Sequence, residues 1–265
     1  MIQEAKDKPL VASLDTITNK PPQAPPRTLL YGRDGVGKST FCAEIPDAIF
    51  ICTEDGAGRI DVPKFPLCKT WDDVFAQLRA LAMEKHNYKC VVLDSADWAQ
   101  ALAVAHVIKH DFGGSIEKYD AFKRGYNNLS QEWTKLLSAL ESLHELRGME
   151  IALIAHALKV EVKDPLREPY SAWVPNLLKA KTISLRDQTR QWCDIVLYAE
   201  HDIAVVEGDR SDDNKGVMKK ERICHSASAA GHEGKVRAGW SLPDKFPLNQ
   251  SIFREHITKD IETND

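Results

Sequence analysis

The sequence predicts an α/β fold in which a mostly parallel sheet is flanked by helices and extended at one edge by antiparallel strands. Three observations predict it. Short apolar runs alternate with helix-compatible stretches over the first two thirds of the chain, the alternation that parallel strands with right-handed crossovers require. A glycine-rich loop joins the first such run to the first helix. The last third reverts to short apolar runs, as hairpin-connected strands would.

The elements follow in order. Residues 1–26 are polar and end in Pro21-Pro22-Gln23-Ala24-Pro25-Pro26, which predicts a flexible, extended arm. The core is expected over residues 27–245, and residues 246–265 are expected to be a weakly helical tail with an acidic end. Leu29-Leu30-Tyr31 is the first strand, and a helix is expected over residues 38–44. The second strand is the apolar run 48–53. Thr70, with Asp73 three residues on, marks the start of a helix that carries Val74, Leu78, Leu81 and Ala82 on one face. Cys90-Val91-Val92-Leu93-Asp94-Ser95 is a strand ending in an acid, followed by a helix over about 97–110. Trp133, Leu136, Leu137, Leu140, Leu143 and Leu146 recur near helical spacing within 129–147, and Gly148 stops that helix. Residues 151–156 form the next buried strand. Between 157 and 190 the pattern dissolves, with Pro165, Pro169 and Pro175 among basic and aromatic residues. Strands are expected to resume at 192–198, 204–206, 222–224 and 235–237.

Composition narrows the function. With 265 residues, 43% hydrophobic and 28% charged, the chain suits one α/β domain with extensions. Its net charge of −4 excludes a global basic field for nucleic acid, so any such contact must come from a local patch. No apolar run approaches the ~20 residues of a membrane span, so no membrane partner is expected. The first residues lack the apolar core of a secretory signal. Six cysteines without a C-x-x-C pair suit small core residues in a reducing cytoplasm.

Gly32-Arg33-Asp34-Gly35-Val36-Gly37-Lys38-Ser39-Thr40 fits G-x-x-x-x-G-K-[ST] between a strand and a helix, the arrangement that cradles nucleotide phosphates. The glycines let successive N–H groups point inward, Lys38 would reach the terminal phosphates, and the Ser39 hydroxyl would hold Mg²⁺. ATP and Mg²⁺ are the expected cofactors. Asp94, closing an apolar strand, is the second expected metal residue; its plain alternative is a helix-capping acid. Glu54 is the candidate to orient or deprotonate water, with Asp55 its competitor. His156, at the end of the third buried strand, is placed to sense the terminal phosphate or simply to satisfy the fold. His106 and His110 have the i, i+4 spacing of two metal ligands, but no Glu follows His106 as H-E-x-x-H requires. They read as solvated helix residues.

The order of these pieces resembles the RecA-type ATPase core. In particular it is similar to the small RecA-like annealing and recombination ATPases of bacteriophages, the Sak-type proteins often described only as phage AAA or nucleotide-binding proteins. The motifs that carry the resemblance are Thr53-Glu54 after the second strand, Leu93-Asp94-Ser95, His156, and Lys235-Val236-Arg237 followed by Leu242-Pro243. It implies a RecA-like P-loop fold, catalytic roles for Lys38, Glu54 and His156, and Lys235 and Arg237 acting in trans on a neighbouring subunit's ATP. It also implies a homo-oligomer, ring or filament, in the bacterial host cytoplasm. Its partners would be single-stranded DNA and a single-strand DNA-binding protein. The irregular stretch falls where the family has its second DNA-binding loop, making Lys159, Lys163, Arg167, Tyr170, Trp173, Lys179 and Lys181 the expected DNA-binding residues. Lys118, Lys123 and Arg124, with Tyr119 and Tyr126, are a weaker first-loop candidate.

The competing reading is a helicase loader or other AAA-type remodelling ATPase acting on protein. Such proteins carry a helical lid after the core, where this sequence reads as strands. Guanine specificity lacks support, since Asn214-Lys215 is followed by Gly216-Val217 and not by the N-K-x-D pattern.

Overall fold

In the computed structural model, residues 24–163, 168–206 and 215–262 are described. Most of the N-terminal arm, Arg167, Asn214 and the acidic C-terminal end lie outside them. Sixteen strands and α-helices of the described residues follow in chain order: β1 (Arg27–Gly32), α1 (Lys38–Ala43), β2 (Ala48–Cys52), α2 (Trp71–Met83), β3 (Cys90–Asp94), α3 (Ala96–Asp111), α4 (Ile116–Asp120) and α5 (Arg124–Arg147). Then come β4 (Glu150–Val162), β5 (Tyr170–Pro175), α6 (Leu185–Trp192), β6 (Ile195–Val206), β7 (Lys215–His225), β8 (Lys235–Val236), β9 (Lys245–Pro247) and α7 (Gln250–Glu262).

The sheet runs in the order β2-β3-β4-β1-β6-β7-β9. Its first five strands are parallel, and β7 and β9 add antiparallel at the far edge. This is the expected fold class. The strand β4 lies between β1 and β3, so the glycine-rich loop and Asp94 sit two strands apart at one end of the sheet. Register fixes that end, because Gly32 pairs with His156 and Ala199, and Cys52 pairs with Asp94.

Alternation along the strands sends side chains to two cores. Leu29, Tyr31, Val91 and Leu153 face α2, α3, α5 and α6, while Leu30, Val92 and Ile154 face α1 and α7. Local signals explain the helices. Thr70 and Asp73 form a reciprocal capping box on α2, and the apolar stripe of α5 ends at Gly148, whose φ of 62° suits a residue without Cβ. On the second face Phe253 and Ile257 of α7 are buried beside Phe41 and Phe246. The C-terminal helix is thus part of the core.

Three expectations about local structure are corrected. The described part of 157–190 is not irregular throughout. β4 continues past His156 to Val162 and pairs antiparallel with β5, and α6 follows. Lys159-Val160-Glu161-Val162 does alternate, but the prolines masked its partner. α6 begins at Ser184, whose hydroxyl accepts from the Asp187 N–H. Trp192 therefore closes a helix, not the start of the next strand. Finally, α4 and the first turns of α5 fill the stretch before Leu129. All six cysteines are free and buried, and no described helix is long and apolar enough to cross a membrane.

Candidate nucleotide site

The site is built at the carboxyl ends of β1, β2, β3 and β4, where open parallel sheets bind ligands. Gly35 and Gly37 take φ of 73° and 100°, the left-handed region that lets the loop curl. Lys38 is buried and donates to the carbonyls of Gly32 and Arg33 at 2.9 and 3.1 Å. Burial lowers its pKa, against the pull of Asp34 and Asp94. Asp94 is almost fully buried, and burial raises its pKa despite a hydrogen bond from the Ser39 hydroxyl. Its Oδ2 is buried without a hydrogen-bond partner. A buried, unpaired carboxylate oxygen beside a serine hydroxyl is a hard-oxygen donor set that fits Mg²⁺, which keeps most of its waters.

Glu54 is held relative to Asp94 by a clamp between strand ends. Thr53 N donates to the Asp94 carbonyl at 2.8 Å. The Thr53 hydroxyl donates to the Ser95 carbonyl at 2.6 Å and accepts from the Ser95 N–H at 2.9 Å. The Asp94–Ser95 peptide is cis. Glu54 is half-buried, and burial, then the nearby Asp94 and Asp97, raise its pKa.

His156 faces this carboxylate. Its Nε2 lies 3.8 Å from Glu54 Oε1 and 3.4 Å from Asp34 Oδ1. Its Nδ1 and backbone N both donate to Asp97, at 2.8 and 3.0 Å. The hydrogen bond to Asp97 raises the His156 pKa in spite of burial. Burial works against ionisation of Asp97, but the bonds from His156 outweigh it and hold that carboxyl below its ordinary value. Asp34, Gly37, Lys38, Ser39, Thr40, Glu54, Asp94 and His156 line one cavity of about 320 Å³. Arg222 of β7 lines it too.

Asp97 and Arg222 are the residues that sequence reasoning missed. Asp97 lies three positions after Asp94, where a first-turn helix acid is unremarkable. Arg222 comes from a strand far along the chain, and no spacing rule points to it.

The remaining expected residues lie elsewhere. Lys159 and Trp173 are paired across β4 and β5, on the stretch that continues directly from His156. Trp173 is half-buried, and the Arg33 guanidinium lies 5.6 Å from its ring centroid, so one ring face is covered from the phosphate loop. Tyr170 is half-buried, and Lys159, Lys163, Lys179 and Lys181 are exposed. Lys163 pairs with Glu161 at 3.6 Å and Lys179 with Asp187 at 3.2 Å; surface pairs of this kind are weak. Asn176 N donates to the His156 carbonyl at 2.9 Å, so the chain leading to Lys179 hangs from the site. In the first-loop candidate, Tyr119 is buried against Phe112 and Tyr126, while Lys118 and Arg124 are exposed.

Lys235 and Arg237 lie at the opposite end of the sheet. Lys235 pairs with Val196 near the start of β6 and donates to the carbonyls of Arg190, Gln191 and Cys193. Arg237 binds Asp194 at 2.9 Å and the Gln191 carbonyl at 2.7 Å. Neither is near its own chain's phosphate loop. The rings of His106 and His110 lie 4.3 Å apart between centroids, tilted by 36°, with exposed Asp72 of α2 3.7 Å from His106. That group lies outside the cavity.

No curated protein matches the sequence. The crystal structure of the RadB recombinase aligns with a TM-score of 0.42 and 14% identity, covering 76% of this chain and 80% of that one. The family model described as an AAA domain matches residues 24–238. That span is well over half of the chain, and the chain belongs to the AAA domain family.

Proposed function

We propose that this chain is a Mg²⁺-dependent, RecA-like ATPase, phage-encoded and acting in the host cytoplasm. It works as a homo-oligomer, ring or filament, that binds single-stranded DNA and promotes annealing or recombination. The observation that carries the ATPase part is the meeting of Lys38, Ser39, Asp94, Glu54 and His156 around one cavity at adjoining strand ends. Lys38 and the loop N–H groups bind the phosphates, and Ser39 and Asp94 hold the ion. Bound Mg²⁺ neutralises charge on the phosphate oxygens. Glu54, held by the Thr53–Ser95 clamp, orients the attacking water, and the burial that raises its pKa makes it a stronger proton acceptor than a solvated carboxylate. His156, fixed by Asp97, presents Nε2 to the terminal phosphate.

The DNA part is supported by continuity of the chain. β4 passes from His156 straight into the hairpin that carries Lys159 and Trp173, and Arg33 of the phosphate loop lies over that tryptophan. Lys159, Lys163, Arg167, Tyr170, Trp173, Lys179 and Lys181 make the DNA face in this reading, with a single-strand DNA-binding protein as a further partner. Lys235 and Arg237, distant from their own loop, serve a neighbouring copy's ATP. A protein-remodelling role is the second reading, favoured by the AAA domain match. Against it, the described residues after β6 form strands and the core-packed α7 rather than a helical lid.

ATP turnover with and without single-stranded DNA, run beside a size measurement, separates the two. Stimulation together with a large assembly supports the recombination reading. Turnover indifferent to DNA selects the remodelling one.

A further inference from the structure

The cavity holds one cation that the motifs do not account for. Arg222 lies on β7, opposite His201 of β6, and its carbonyl accepts from the Leu248 N–H at 2.8 Å. Its backbone is therefore fixed from both sides. It shares the face of Cys224, which is fully buried on the α1 side of the sheet, so the side chain is directed toward the phosphate loop. The guanidinium lies against Gly37. A Cβ at that position would collide with Arg222 Nη1 and come within 3.4 Å of Cζ. Glycine at 37 thus serves the loop's positive φ and also leaves room for this arginine.

Among the described residues no carboxylate or carbonyl accepts from the Arg222 guanidinium, although Asp34, Glu54 and Asp94 line the same cavity. The planar fork of an arginine matches phosphate oxygens with paired hydrogen bonds. We propose that Arg222 is a phosphate-binding residue supplied by the same chain, gripping the terminal phosphates of a nucleoside triphosphate. The inference rests on the nucleotide reading above and adds to it. Arg222 neighbours Gly37 and therefore the Lys38 end of the loop, and the same cavity opens onto Glu54 and His156. Its contact is to the β- and γ-phosphate region and not to the base. Arg222 also links the third phosphate to the β6–β7 edge, because its backbone pairs with His201 of β6 and accepts from Leu248 just after β9. Lys235 and Arg237, by contrast, can meet only another copy's nucleotide.

Equilibrium binding of a non-hydrolysable ATP analogue and of ADP to the full chain tests this, using wild type, Lys38→Ala, Arg222→Ala and Arg222→Lys. Charge-assisted hydrogen bonds predict a roughly 10- to 100-fold loss of analogue affinity in Arg222→Ala. ADP should lose much less, Arg222→Lys should recover part of the difference, and the melting temperature should be unchanged. If the wild type binds nucleotide and Arg222→Ala holds the analogue as tightly as the wild type does, this inference alone is overturned. Wild-type protein that binds neither nucleotide overturns the underlying reading and this one with it. Mixing Arg222→Ala with Lys38→Ala subunits should restore no hydrolysis. Recovery would assign the arginine to a neighbour's site and contradict the same-chain assignment.

Discussion

His156 donates both its backbone N–H and its ring Nδ1–H to the Asp97 carboxylate, at 3.0 and 2.8 Å. Asp97 opens α3 just after Asp94, so one carboxylate joins the β4 end to the β3 end and leaves Nε2 facing the cavity.

The pair makes a pH prediction. The His156 value is raised, so its contribution to stability is complete below about 6.5 and is lost as pH rises through the folded value. The Asp97 value is lowered, so its contribution is present above about 3.9 and is lost as pH falls through the folded value. Asp97→Asn should therefore cost most between those limits, about 2 kcal/mol at pH 5–6, and less as pH rises through the folded His156 value. Denaturant melts across pH measure this, and NMR should show His156 titrating at lower pH in the variant.

Glu54→Gln should cut ATP hydrolysis by roughly 10²- to 10⁴-fold, the usual contribution of a positioned base, while ATP affinity changes little. Because the Glu54 value is raised by burial, the acid limb of the wild-type rate profile should lie above the ordinary glutamate value of about 4.3. An unchanged rate would return the role to Asp55.

Neutralising Lys179 and Lys181 together should weaken single-strand binding uniformly across sequences. Each lost phosphate contact lowers the salt slope by roughly 0.7, so the double variant should be flatter by about 1.4. Fluorescence anisotropy against salt reads both quantities, and an unaltered slope moves the DNA contact elsewhere.

Arg237→Ala subunits mixed with Glu54→Gln subunits should regain some hydrolysis, since each supplies what the other lacks. The Arg237→Ala protein must first be shown to fold, because Arg237 also binds Asp194 and the Gln191 carbonyl. No recovery at any ratio rejects the trans role.

The sequence carried the loop and the parallel strands because both are local signals: glycine at fixed offsets, and unbroken apolar runs buried on both faces. The β4–β5 hairpin was hidden because its outer half alternates lysine and glutamate with valine, which looks like solvated loop when the partner strand is interrupted by proline. α6 carried a legible start in Ser184 and Asp187, outweighed by the charge of the residues around it. Asp97 and Arg222 were beyond reach for another reason. Their roles come from pairing in space, of β3 with β4 and of β6 with β7, and neither residue type is unusual where it stands.

Hydrolysis of ATP by the purified full chain, wild type against Lys38→Ala, tests the central claim most directly. Mg²⁺-dependent turnover is expected in the wild type and its loss in the variant, whose phosphate loop lacks the buried ammonium. Turnover that survives Lys38→Ala, or a wild type that neither binds nor cleaves ATP, would contradict it.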